Sequence, residues 1–516
     1  MGIPSYFRFL CKENQNIIQK TYHKNNNIIL CFDFNCIVYY CLSKVNVVYD
    51  GSNIITYEKA LIDTVCDYVE NIWKESGKCN EVFIAVDGVV PMAKMKQQRL
   101  RRFKSIVLEQ YEIAQGVRKA DDPKWDKNAI TPGTNFMKKL HKALNELCKK
   151  HSNWSLSGYD QPGEGEHKVM NYIRNYNSTN NTFLVYGLDA DLILLSMLHS
   201  DKQNIFLMRE EMEFNRVVID NKKEQYLYLN INALNDALFA NPSKQHIYDY
   251  IVMMSLLGND FLPHSVAFTI KDGGYNIMID ILKQFHDQNK YLTLDDKIQW
   301  SSLKEFISCF HESEEQYMEE FCRKKQQIKF FRTNKQTSSE YELKMAPIYI
   351  LPTQWFVEKE LYNGRNVEGG MVDGWKEKYY NTFLINNREK VLKEYMYGLQ
   401  WILDYYIGNS IDIDWYYPWM HTPLFEDVLM YLDHNTPEIR YTINKYIEPE
   451  QQLAIVLPIQ SYHLIENNLY KEFPKMYPQF YPDKFGFHSL GKKWFYECES
   501  NIPIFSTRFL RVVLKI

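Results

Sequence analysis

The sequence predicts an α/β protein: a mostly parallel central sheet flanked by helices, followed by an aromatic-rich, mainly helical second region. Three short apolar runs, at 26–35, 81–88 and 182–191, have strand length and each ends in an acidic residue. Helical patterns fill the intervals, at about 57–75, 92–115, 134–151 and 165–176. Beyond residue 345 that rhythm stops, and Trp and Tyr become frequent.

Strands alternating with helices require crossover connections, so the sheet should be parallel and covered on both faces. Such sheets hold ligands in the crevice beyond the carboxyl ends of their strands. Asp33, Asp87, Asp189 and Asp191 sit at those ends. An apolar helix from about 246 then runs into Gly-Asn-Asp-Phe-Leu-Pro-His, and 290–345 is charged and helical in pattern. We divide the chain into a core at 1–290, a connector at 291–345 (Lys/Gln/Ser-rich over 324–344) and a second region at 346–516. Periodicity does not separate a free-standing second domain from an apron wrapped on the first.

The net charge of −4 over 516 residues advertises no polyanionic partner for the surface as a whole. A nucleic-acid partner would therefore need locally clustered positive charge. Ten cysteines are scattered without a Cys-x-x-Cys pair, which argues against a zinc framework and for reduced thiols. The N-terminus has no basic segment followed by a long apolar one, and Tyr6 stands where a myristoylation signal needs Ser or Thr. No apolar run approaches membrane-spanning length, so a soluble intracellular protein is expected.

Two further acidic motifs join the strand-end aspartates: Pro-Gly-Glu-Gly-Glu-His at 162–167, with Glu164 and Glu166, and Gly-Asn-Asp at 258–260, with Asp260. One acid at a strand end is ordinarily a helix cap or a solvated loop residue. Seven from separate segments converging on one crevice would repel one another unless cations neutralise them. Hard oxygen ligands suit Mg²⁺ or Mn²⁺. Two such ions, roughly 3.5–4 Å apart, form a clamp for in-line phosphodiester cleavage.

Directly after Asp87 comes a basic stretch that Pro91 is well placed to start as a helix. At 100° per residue Lys94, Gln98, Arg101 and Arg102 share one face. An ammonium, an amide and two guanidinium forks suit a terminal phosphate. Lys96, Arg99 and Lys104 point elsewhere, toward backbone phosphates or water. The bland alternative is a solvated basic face, but its attachment to an acidic strand end favours a phosphate pocket beside the metals.

These motifs, in this order, resemble the Xrn-type 5′→3′ exoribonucleases. The carrying segments are MGIPSYFRFL, FDFNCIVYYC, VDGVVPMAKMKQQRLRRF, ITPGTNFM, PGEGEHKVMNYIR, YGLDADLILL, MREE and LLGNDFLPH. GLQWILDYY (398–406), DWYYPWMHTP (414–423) and QLAIVLPIQSYHLI (452–465) resemble the family's second region. The resemblance implies a PIN/FEN-like nuclease core, with the second region wrapped on it and enclosing the active site. It implies that Asp33, Asp87, Glu164, Glu166, Asp189, Asp191 and Asp260 are the catalytic, metal-holding acids, and that Lys94, Gln98, Arg101 and Arg102 hold the 5′-phosphate. It further implies processive, magnesium-dependent (or manganese-dependent) hydrolysis, with two ions, of single-stranded 5′-monophosphorylated RNA to nucleoside 5′-monophosphates. The N-terminal segment would help strip paired RNA, and the setting would be mRNA decay by a cytoplasmic monomer.

The chain departs from the family in places. Tyr39 stands where relatives have a His that sandwiches the first base with a Trp from the second region. Trp415 is the partner we assign, with Trp401 as its rival, and Met92 replaces a usual Arg. The chain stops near the end of the second region, which suggests a compact lineage, virus-encoded and acting in the host cytoplasm or a viral factory. Two other functions compete. A flap-type DNA nuclease is disfavoured by the basic helix after Asp87, and a silent RNA-binding scaffold by the presence of every metal-site acid.

Overall fold

The computed structural model describes residues 6–7, 10, 15–22, 27–114, 116, 118–187, 189–210, 226–240, 242–326, 356–363, 369–385, 387–493 and 495–515. Most of the N-terminal segment expected to help strip paired RNA (1–5, 8–9 and 11–14) and the connector from 327 to 345 lie outside these residues.

The central sheet has seven strands: β1 (Ile18–Gln19), β2 (Ile28–Asp33), β3 (Glu81–Ala85), β4 (Trp154–Ser157), β5 (Thr182–Tyr186), β6 (Asn204–Glu210) and β7 (Tyr226–Asn230). Their order is β1-β7-β6-β5-β2-β3-β4. The β6/β5, β5/β2, β2/β3 and β3/β4 pairings are parallel, while β7 and β1 close one edge antiparallel. The three runs read from the sequence are therefore neighbours, β5, β2 and β3, at the middle of the sheet. Every residue of β5 is buried, which is why it reads as continuous apolar sequence. The four-residue edge strand β4 and the pair β6 and β7 extend the sheet beyond that reading.

The helices of this half are α1 (Asn35–Cys41), α2 (Ile54–Glu75), α3 (Met92–Ala114), α4 (Asn135–Lys149), α5 (Gly165–Arg174), α6 (Asp191–Met197), α7 (Ile231–Leu238), α8 (Lys244–Leu256) and α9 (Gly274–Asp287). Side chains alternate across a strand, so β2 divides its residues between two cores. Leu30 and Phe32 join α1, α2 and α4, while Ile29 and Cys31 face α5, α6 and α8. Among the described residues of the rest are α10 (Trp300–Ser308), α11 (Glu314–Gln326), α12 (Trp375–Phe383), α13 (Arg388–Ile407), α14 (Phe425–His434), α15 (Pro449–Val456) and α16 (Thr507–Leu514). No helix among the described residues is long and apolar enough to cross a membrane.

The second region is an apron on the first. Met92, Met95, Leu100 and Phe103 of α3 share an apolar cluster with Leu453–Leu457, Phe473, Phe505 and Leu510. Met92 is fully buried there, so its replacement of an Arg removes no charge from an exposed surface. Three cations of α3 bind the apron rather than phosphate or water, which corrects the expectation for them. Lys96 donates to the Tyr417 and Trp419 carbonyls at 2.6 and 3.3 Å, and Lys104 to that of Cys498 at 2.6 Å. Arg99, wholly buried, donates to the carbonyls of Ile455 at 2.6 Å, Pro503 at 3.3 Å and Phe480. Burial pulls Lys96 down to about 8, against the opposing charge of Glu499, and Arg99 down to about 10.

Candidate active site

The adjacent parallel strands β5, β2 and β3 open on one crevice, and their ends supply its acids. β2 ends on Asp33, Asp87 lies two residues past β3, and Asp189 follows β5 just before Asp191 opens α6. Glu164 stands at the N-cap position of α5, its side chain making no capping hydrogen bond, and Glu166 sits in the first turn, where the helix dipole favours negative charge. Asp260 arrives from the opposite side, after α8. Gly258 makes that turn with φ of 85°, and a Cβ there would come 2.6 Å from the His264 nitrogen.

The packing is tight enough to require glycine. A Cβ at Gly165 would lie 2.6 Å from Asp33 Oδ1 and 3.3 Å from Asp87 Oδ1. Instead the Gly165 N–H donates to Asp87 Oδ1 at 2.7 Å. Lys94 enters from α3, its ammonium 2.7 Å from Glu164 Oε2 and 2.8 Å from Asp260 Oδ2. A carboxylate oxygen of Glu164, one of Glu166 and a ring nitrogen of His167 lie within 4.8 Å of one another.

Electrostatics tie these acids into one unit. Burial, then the charges of Asp87, Asp189 and Glu164, push the Asp33 carboxyl well above the ordinary range. Burial and Glu164 raise Glu166 likewise, and burial with Asp260 takes Asp191 up to about 7. Burial works on Asp260 too, yet the Lys94 ammonium holds it below the usual value. Lys94 is pulled down by burial, but Asp260 and Glu164 outweigh this and keep it charged. One ammonium does not neutralise such a centre. Glu166 Oε2 and Asp191 Oδ1 are buried without a hydrogen-bond partner. Unpaired buried carboxylate oxygens are costly, and a hard divalent cation is the group this donor set fits.

On α3, which also carries Lys94, lie Gln98, Arg101 and Arg102, the residues expected to hold a terminal phosphate. Arg102 Nη2 donates to Thr131 Oγ1 at 2.9 Å, while its Nη1 and Gln98 Oε1 are buried and unpartnered. Burial lowers Arg102 to about 10, leaving it cationic. Tyr39 and Arg101 are among the groups acting on its charge.

The family model described as the XRN 5′-3′ exonuclease N-terminus matches residues 1–211, and the Xrn1 helical domain matches 242–359 and 367–514. This chain belongs to the Xrn family. It is 26% identical to 5′-3′ exoribonuclease 1 of Saccharomyces cerevisiae, the match covering 90% of this chain and 40% of that protein. It is 25% identical to 5′-3′ exoribonuclease 1 of Homo sapiens, over 99% of this chain and 34% of that protein. It is also 25% identical to 5′-3′ exoribonuclease 2 of Arabidopsis thaliana, over 98% of this chain and 66% of that protein. The chain thus spans less than half the length of the yeast and human relatives.

In this Xrn-family chain the two residues expected to stack on a base differ in access. Tyr39 is 45% exposed on α1, but Trp415 is 3% exposed. The Trp415 ring packs on Trp401 and Tyr397, at centroid distances of 5.1 and 5.5 Å, and its Nε1 donates to Glu394 Oε2 at 2.8 Å. Gly398 also abuts it, since a Cβ there would come 2.8 Å from Cη2. Trp415 therefore presents little surface to a base in this structure, whereas Tyr39 presents much. Trp401, the rival, is fully buried.

Several residues at the site escaped the sequence reading. Thr131 orients Arg102. Arg209 Nη2 donates to the Asp189 carbonyl at 3.1 Å, and its guanidinium lies 4.4 Å from the Phe7 ring centre, joining the N-terminal segment to the Asp189 loop. Tyr405 reaches Glu164 from α13, and the charges of Asp191, Glu166 and Asp260 act on its neighbour Tyr406. All lie within the quoted family segments, but residue type and spacing alone assigned them no task.

Proposed function

We propose that this chain is a divalent-metal-dependent 5′→3′ exoribonuclease. It would release nucleoside 5′-monophosphates, one at a time and processively, from single-stranded RNA bearing a 5′-monophosphate. The observation that carries this reading is the junction at Lys94. That residue sits on the acidic centre, and the same helical face continues into the unpartnered donor of Arg102. A centre that cleaves phosphodiesters and a pocket that grips a terminal phosphate would thus be joined through one helix, α3, so the cut would fall at a set distance from the 5′ end. Membership of the Xrn family supports the same conclusion.

Asp33, Asp87, Glu164, Glu166, Asp189, Asp191 and Asp260 would hold the cations, Mg²⁺ or Mn²⁺ and two in number. When bound, such ions supply Lewis-acid activation of water and stabilise the charge of the leaving oxygen. The chain's own groups do the rest. Arg101 and Arg102 grip the terminal phosphate through charge-assisted hydrogen bonds, Gln98 orients it, and Lys94 bridges pocket and centre. Tyr39 offers an exposed ring for base stacking. The apron over α3 keeps bulk water from that side of the pocket. The site is built from one chain, so a monomer suffices. The described cysteines are free thiols, in keeping with a reducing compartment such as the cytoplasm and a part in mRNA decay.

The test uses one RNA with a monophosphate, triphosphate, cap or hydroxyl at its 5′ end, with Mg²⁺, Mn²⁺ or EDTA, and a flap DNA in parallel. Metal-dependent release of nucleoside 5′-monophosphates from the monophosphorylated RNA is expected. Preferential cutting at the flap junction refutes the reading, and absence of any nucleotide release points to an RNA-binding scaffold.

A further inference from the structure

Helix α13 crosses behind the acidic centre and carries Tyr405, which none of the roles above uses. Its hydroxyl donates to Glu164 Oε1 at 2.7 Å, bridging residues 241 positions apart. The other oxygen of the same carboxylate, Oε2, is the one 2.7 Å from the Lys94 ammonium. Glu164 is therefore held on one side by a rigid neutral donor and on the other by a flexible cation.

Rigidity comes from the ring's surroundings. Tyr405 is 7% exposed and stacks on Trp401 at 5.0 Å and 26°. Phe261 meets it edge-on at 5.5 Å, and His167 packs on it at 3.9 Å. Phe261 follows Asp260 in the chain, and His167 follows Glu166. One side chain of the helical region thus touches Glu164 and the immediate neighbours of two other acids. Burial and the Glu164 charge keep the phenol protonated, so it acts as a donor.

We propose that Tyr405 is a positioning residue of the metal centre: its O–H fixes the orientation of Glu164, one of the carboxylates that would hold the cation. Outer hydrogen bonds of this kind set the orientation of a ligating carboxylate, and their loss weakens metal binding by about 10–100-fold. The helical region is then more than a cover, because it supplies one of the contacts that order the centre. The inference rests on the metal-dependent reading above. A purely structural role for Tyr405 makes a different prediction, that removing its hydroxyl affects stability and leaves metal affinity alone.

The test is Mn²⁺ binding to the full RNA-free chain, followed by the free-ion electron paramagnetic resonance signal, with the thermal midpoint of the metal-free protein alongside. Tyr405→Phe keeps the ring and deletes only the hydroxyl. It should bind Mn²⁺ about tenfold or more weakly, with a midpoint near that of the parent. Glu164→Gln should also bind weakly, and adding Tyr405→Phe to it should cost nothing further. Parent-like affinity in Tyr405→Phe overturns the proposal. So does an equal loss in the Glu164→Gln background, or a Tyr405→Phe protein that no longer folds. A parent chain that takes up no Mn²⁺ removes the proposed function itself and this inference with it.

Discussion

The Lys94 ammonium lies 2.8 Å from Asp260 Oδ2, across 166 residues of chain, and 2.7 Å from Glu164 Oε2. It is the cation that holds these acids together in the metal-free chain. The side chains of Lys94, Glu164 and Asp260 are 14%, 7% and 8% exposed, so solvent does little of that work. Removing one partner of a buried pair costs about 3–5 kcal/mol. Lys94→Met should therefore lose about 3 kcal/mol of stability in EDTA, and clearly less with saturating Mg²⁺, as read by urea denaturation in both buffers.

Asp191 gives the metal-free protein a pH dependence. Burial and Asp260 raise its carboxyl to about 7, against about 3.9 in an unfolded chain. Between those values the folded state keeps a proton that the unfolded state has released. This group's stabilising contribution is therefore full below about pH 4, falls as pH rises, and is gone above about 7. Metal binding needs the ionised forms of Asp191 and of the likewise raised Asp33 and Glu166, so Mn²⁺ affinity should rise with pH through about 7. Calorimetric titrations from acid to neutral pH check this, and Asp191→Asn should flatten both trends.

Asp189→Ala and Asp191→Ala should each lower nucleotide release by at least about 100-fold while RNA binding stays measurable by filter retention. Near-normal turnover in either variant removes that acid from the centre.

The two arginine roles on α3 are separable. Arg101 is half-buried on the face proposed to meet the terminal phosphate, and Arg101→Ala should erode the preference for a 5′-monophosphate over a 5′-hydroxyl. The loss should be tenfold or more, the equivalent of about 1.5–3 kcal/mol for a hydrogen bond to a charged group. Arg99→Ala instead strands the carbonyls of Ile455, Pro503 and Phe480, at about 1–3 kcal/mol each. It should destabilise the protein severely and leave end preference unchanged in whatever remains folded. Comparing decay of the two RNAs with thermal unfolding distinguishes the cases.

Tyr39→Ala should weaken single-stranded RNA binding by about 1–3 kcal/mol, and Tyr39→Phe should restore most of it, because the ring rather than the hydroxyl would stack. Fluorescence anisotropy with a labelled oligonucleotide measures both.

Much of this arrangement is legible along the chain. The strands β2, β3 and β5 are visible because burial on both faces leaves uninterrupted apolar runs, and the acids are visible because each follows such a run or a tight glycine turn. The split face of α3 follows from helical spacing. What spacing left open is which neighbour each face meets. Lys96, Arg99 and Lys104 look like solvent or phosphate contacts in sequence, yet they are buried on carbonyls of the apron. Trp415 looks like an available aromatic, yet Trp401 and Tyr397 pack on it.

By itself, then, the sequence determined the α/β core, the set of acids and the basic face beside them. These depend on local periodicity and on residues close in the chain. Only the tertiary structure decided that Lys94 joins Glu164 to Asp260, that Arg99 serves the interface, and that Tyr405 reaches Glu164. Those contacts join segments some 70 to 360 residues apart. A charged side chain carries no local mark of whether its partner will be water, a phosphate or a buried carbonyl. Burial decides that, and burial is a property of the packed chain.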